Sequence, residues 1–147
     1  MRDEPSALPL RIIMEHPLPG IAVALQCGAT GKAQLIGPVG APSDALVFEF
    51  AVILDGKTKA GRPRLLGPFV QGPPEARFVY LNSGGLAHQP GSAWRRRAKV
   101  PLGGIDWALI EALGPETRLT ARIEGRARDG GPACASVPLL PPGWRLE

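Results

Sequence analysis

Apolar residues recur at every second position along several stretches of the chain, the period of strands with one buried face. In LPLRIIME, Leu10, Ile12 and Met14 share one face and Arg11 and Glu15 take the other. In IAVALQ, Ile21, Val23 and Leu25 alternate with Ala22, Ala24 and Gln26. The five residues HPLPG separate the two runs and predict an antiparallel hairpin. Leu46, Phe48, Phe50, Val52 and Leu54 form the strongest row. Their alternates Val47, Ala51 and Ile53 are also apolar, which predicts a central strand covered on both faces.

Further strands are predicted at LLGPFV and ARFVYLN. The second places Phe78 and Tyr80 opposite Arg77, Val79 and Leu81. WRRRAKVPL sets Arg95, Arg97 and Lys99 on one face, and TRLTARIEGR alternates Leu119, Ala121 and Ile123 with Arg118, Thr120, Arg122 and Glu124. A short edge strand is expected at 33–36 inside the Gly- and Ser-rich stretch 27–44. ACASVPLL closes the sheet ahead of a Pro-rich tail ending at Trp144. SGGLAHQPGS and DGGP read as turns.

One segment has helical punctuation. Asp106 is an N-cap, Ile105 and Ile110 are placed as a hydrophobic staple, and Gly114 with Pro115 stops the helix. So short a helix is not stable alone and must dock Trp107, Ile110 and Leu113. The sum predicts a mainly β protein: an antiparallel β-sandwich of seven or eight strands with one short helix, or alternatively a small closed β-barrel. The chain reads as one domain over 1–147, with 1–7 as a frayed leader.

Composition agrees with this. The 147 residues hold 19 glycines and 17 prolines without a fixed period, which suits many turns between short strands. No apolar run is long enough for a secretory signal or a bilayer span, so a cytoplasmic protein without membrane partners is expected. Cys27 and Cys134 match no metal or redox spacing and read as reduced, partly buried residues. A net charge of +4 and a pI near 9.6 keep polyanions among the candidate partners.

The ordered set RIIMEHPLPGIAVALQ, LVFEF, GPFVQGPPEARFVYL, WRRRAKVPL and DGGPACASV resembles an uncharacterised bacterial family, a domain of unknown function, over nearly the whole chain. The resemblance implies a self-contained bacterial domain and brings no activity, cofactor or catalytic residue with it.

Motifs for chemistry are weak. Gly28, Gly31 and Lys32 fail the phosphate-loop spacing, because Gln26 stands at the first Gly position and Ala33 at the hydroxyl position. His16 and His88 have no second metal ligand at useful spacing. No catalytic residue, metal or cofactor is assigned. The binding candidates are the cations Arg77, Arg95, Arg97 and Lys99, together with Phe69 and Gln71 on a loop stiffened by Pro68, Pro73 and Pro74. Alternate cations on a strand recur at about 6.6 to 6.8 Å, within the range of phosphate spacing along one nucleic-acid strand. Arg118, Arg122, Arg126 and Arg128 extend the face if their strands are neighbours.

Two functional readings follow. In the first, the domain is a binding or interaction module whose basic sheet face takes an anionic ligand, nucleic acid or protein partner. In the second, it is a small hydrolase or isomerase with a pocket at one end of the sandwich, drawing on Asp129, Glu75, His88 or Cys27. A homodimer that hides a sheet edge is compatible with either.

Overall fold

The computed structural model describes residues 5–16, 21–28, 34–36, 45–86, 95–125 and 143–147. Its strands are β1 (Ser6–Glu15), β2 (Ile21–Cys27), β3 (Gln34–Ile36), β4 (Ala45–Lys57), β5 (Pro63–Leu66), β6 (Phe78–Leu86), β7 (Arg95–Pro101), β8 (Leu119–Glu124) and β9 (Trp144–Leu146), with one helix, α1 (Trp107–Ala112). They form a five-stranded sheet in the order β5-β4-β1-β8-β9 and a four-stranded sheet in the order β3-β2-β6-β7. The protein is mainly β, with two sheets, one short helix and no closed barrel among the described residues. Nine described strands exceed the seven or eight expected.

The core lies between the sheets. Leu8, Leu10, Ile12 and Met14 of β1 with Phe48, Phe50, Val52 and Leu54 of β4 meet Val23, Leu25, Val79, Leu81 and Val100 from the second sheet in one buried cluster. Removing these rows from water is the main force joining the layers. The helix caps as its sequence predicts: the Asp106 side chain accepts from the Leu109 amide at 2.9 Å, and Ile105 and Ile110 are both buried.

Several expectations are corrected. β1 and β2 are not a hairpin, because they lie in different sheets. His16, with φ of 53°, turns the chain out of the first sheet, and β1 pairs antiparallel with β4 and parallel with β8. Alternation fixes which face of a strand is buried and is silent about its partner. Two inward rows facing each other across a core read the same as two neighbours in one sheet.

β4 is covered on one face only. Glu49 and Ala51 are exposed and Ile53 is 42% exposed, so its second apolar row lies on the outer surface. β1 is instead the central strand of that sheet. It begins at Ser6, inside the expected leader, because Ser6 and Ala7 pair with Leu54 and Ile53. β5 stops at Leu66, where Gly67 takes φ of 133°. β6 runs through Gly84 and Gly85, read as a turn, because its pairing with β2 extends to Leu86 and Ile21.

The C-terminal segment read as a tail ending at Trp144 forms edge strand β9 against β8. Trp144 is buried, and its indole Nε1 donates to the Pro101 carbonyl at 2.8 Å, tying the edge of the first sheet to the end of β7 in the second. The expected strand ACASVPLL and turn DGGP lie outside the described residues. Removing that tie sets a measurable cost. Trp144→Phe is expected to lose about 1 kcal/mol of unfolding free energy, and Trp144→Ala about 3 to 5 kcal/mol, in urea denaturation. A negligible loss for Trp144→Ala would contradict the bridging role.

Candidate functional site on the outer face of the second sheet

In β6, Val79 and Leu81 are buried in the core, so Phe78, Tyr80 and Asn82 occupy the opposite, outer row. The register sets Lys99 of β7 opposite Tyr80 and Pro101 opposite Phe78. On this face the Lys99 ammonium lies 4.3 Å from the centroid of the Phe78 ring and 6.0 Å from that of Tyr80. The two rings meet edge to face at 4.9 Å and 72°. All three side chains are half-buried, an arrangement in which cation–π attraction holds the ammonium over the rings.

The neighbouring outer positions on β2 are Ala24 and Gln26, both buried, with Ala24 opposite Asn82. Here the sequence builds a chain of amides. Gln26 Nε2 and Gln71 Nε2 each donate to the Gly28 carbonyl at 2.8 Å, and Asn82 Nδ2 donates to Gln26 Oε1 at 3.0 Å. Gln71 is held there by its own backbone, which exchanges hydrogen bonds with Phe78 at 2.8 and 3.1 Å.

The expected site residues separate. Lys99 lies on the face just described, and Gln71 anchors its amide chain. Phe69 is packed inward, its ring 5.3 Å from that of Phe50, so the 67–74 loop is a corner of the sandwich rather than a display for an aromatic ligand contact. Gly72 makes the corner tight: a Cβ there would sit 2.7 Å from the Ala76 carbonyl oxygen and from the Phe78 ring. The Arg77 guanidinium donates to the Gly72 carbonyl and is thereby held by its own loop.

Arg95 and Arg97 lie in β7, and their side chains are outside the described residues. The backbone register interrupts the cation row all the same. Leu81 pairs with Ala98 and Asn82 with Arg96, so Arg97 is the extra residue of a bulge and strict alternation from Arg95 to Lys99 is broken. β7 is also the edge strand of its sheet, where charge discourages edge-to-edge association.

Arg118 and Arg122 do not extend this face, because they precede and enter β8 in the other sheet. Arg122 meets Glu147 at 2.6 Å and Glu15 at 3.0 Å, and Arg11 meets Glu49 at 3.4 Å. His16 Nδ1 contacts Glu124 at 3.0 Å. Hydrogen bonding to Glu147, then to Glu15, raises the Arg122 pKa, and the Arg122 hydrogen bond in turn holds the Glu147 carboxyl below the usual carboxylate range. Arg126 and Arg128 lie outside the described residues.

Of the groups considered for catalysis, Glu75 accepts from the Thr58 hydroxyl at 3.0 Å and the Ala60 amide at 3.2 Å, which lowers its pKa and ties two loops together. Cys27 is a free, half-buried thiol. His88, Asp129 and Cys134 lie outside the described residues, as do Gly31 and Lys32. No group of three or more His, Cys, Asp or Glu able to hold a metal occurs among the described residues. No described helix is long and apolar enough to cross a membrane.

These elements define a two-sheet, mainly β protein with an aromatic and cationic outer face on its smaller sheet. The chain belongs to the family of unknown function DUF5990, whose model matches residues 8–147. No curated protein and no solved structure matches this chain.

The charge pairs make a pH prediction. Glu147 and Glu75 have folded pKa values below the model value of 4.5, so their contribution to stability is present above that pH and is lost as pH falls through the folded values. Unfolding free energy is expected to decline on acidification below about 4.5, with a shallower decline in Arg122→Leu. The variant removes the cause of the Glu147 shift. An undiminished acid slope in Arg122→Leu would contradict the pairing.

Proposed function

We propose that this protein is a small binding module whose outer face on the second sheet takes a ligand combining phosphate with flat rings, and that single-stranded nucleic acid is that ligand. The observation that carries the reading is Lys99 poised over Phe78 and Tyr80 on the outer face of a basic edge strand. A bound base stacks on an exposed ring face, while the ammonium turns from the ring to a phosphate. Stacking of this kind contributes about 1 to 3 kcal/mol per base and tolerates any sequence. The cations of β7 add attraction that weakens as salt rises, because each neutralised phosphate releases counterions.

The charged groups of the first sheet support the same choice of face. Arg11 and Arg122 already meet carboxylates there, so a phosphate would have to displace Glu49, Glu15 or Glu147 to reach them. The proposal takes the protein to be cytosolic and bacterial, where single-stranded nucleic acid is available, and involves neither a cofactor nor catalysis.

Charge reversal tests the reading. The triple variant Arg95→Glu, Arg97→Glu, Lys99→Glu is expected to elute from single-stranded DNA resin at lower salt. The slope of log K against log salt is expected to fall by roughly 2, at about 0.7 per lost phosphate contact. Arg122→Glu is expected to leave both quantities unchanged. Retention of the triple variant equal to that of the native protein would overturn the proposal.

A further inference from the structure

The amide chain on the same face ends in an unanswered acceptor. The Gly28 carbonyl can only accept, so both Gln26 and Gln71 must turn their NH2 groups toward it. That leaves Gln26 Oε1 as an acceptor, which Asn82 Nδ2 fills. The remaining atom, Asn82 Oδ1, is buried in a residue only 6% exposed and has no hydrogen-bond partner. Rotating the Asn82 amide would set its oxygen against Gln26 Oε1, so the backbone carbonyl at the far end fixes the free group as an acceptor. A buried polar atom left unmatched is costly, and a donor brought to it removes that cost.

We infer that Asn82 Oδ1 is a base-reading acceptor, taking a hydrogen bond from the exocyclic amino group of a nucleobase whose phosphate is held by Lys99. The inference rests on the nucleic-acid reading above and adds selectivity to it. Asn82 follows Tyr80 by two residues on the same outer row, about 6.6 to 6.8 Å along the strand. A base edge and its phosphate are therefore offered an acceptor and a cation at neighbouring positions. The small side chain of Ala24 stands opposite Asn82 on β2, so the approach from that side is not blocked by a long side chain. The oxygen is covered in the free protein, which orders the events. Lys99 and the aromatic rings capture the strand first, and the amino group engages after the covering atoms give way.

The test measures binding of the full-length protein to fluorescent oligodeoxyadenylate and oligodeoxycytidylate, each compared with its N,N-dimethylated form, which keeps the stacking ring and lacks the donor. The expected result is roughly tenfold weaker binding of the dimethylated strands. Asn82→Leu is expected to bind the normal and blocked strands alike, with an unchanged salt slope. Equal binding of normal and blocked strands by the native protein, with salt dependence intact, would overturn the inference and leave the proposed function standing. Absence of salt-dependent binding to every strand would overturn both. The native comparison needs no substitution, so a folding defect in Asn82→Leu does not remove the test.

Discussion

Burial of one face of β1 is the constraint from which the architecture follows. Leu8, Leu10, Ile12 and Met14 are almost wholly withdrawn from solvent, on a strand paired along its length with β4 and over its second half with β8. A row of that size stays dry only if a second apolar layer covers it, and β2, β6 and β7 provide that layer through Val23, Leu25, Val79, Leu81 and Val100. Once those rows face inward, strict alternation dictates what faces outward on every strand. The outer positions of both sheets, and hence the candidate site, are consequences of the core.

The two outer faces have different chemistry. On the first sheet, Arg11 and Glu49 are register partners, and Arg122 lies between Glu15 and Glu147, so the cations there are answered by carboxylates within the fold. On the second, Lys99 is answered by aromatic rings, which bind a cation without cancelling its charge. A cation held in that way is available to an anion at small cost. The buried amide chain behind it fixes the end of β2 and the start of β6 against one another, through Gln71 and Gly28.

Much of this was legible in the sequence, and the failures have physical causes. Period-two alternation revealed the strands, and Asp106 with Ile105 and Ile110 located the helix, because each signal is local. Strand pairing was not legible. The likeness between the inward rows of β1 and β2 suggested a hairpin, whereas they oppose one another across the core, and a parallel partner more than a hundred residues away leaves no local trace. The strand at Trp144 was hidden because three residues show no period. For the site, Lys99 was found by charge and Gln71 by its stiff loop. The outward placement of Phe78 and Tyr80 required knowing which face of β6 the core takes. The bulge at Arg97 was invisible because alternation alone cannot report a skipped partner. Asn82 and Gln26 were missed as a pair, since their contact joins two strands far apart in the chain.

The most direct test of where this protein meets its ligand is a titration of the isotope-labelled chain with a short single-stranded oligonucleotide, followed by amide chemical shifts. The account expects perturbations concentrated on β6, β7 and the end of β2, around Tyr80, Asn82, Lys99 and Gln26, with β4 and β8 unaffected. Perturbations centred on the outer face of the first sheet, or none at a saturating ligand concentration, would contradict it.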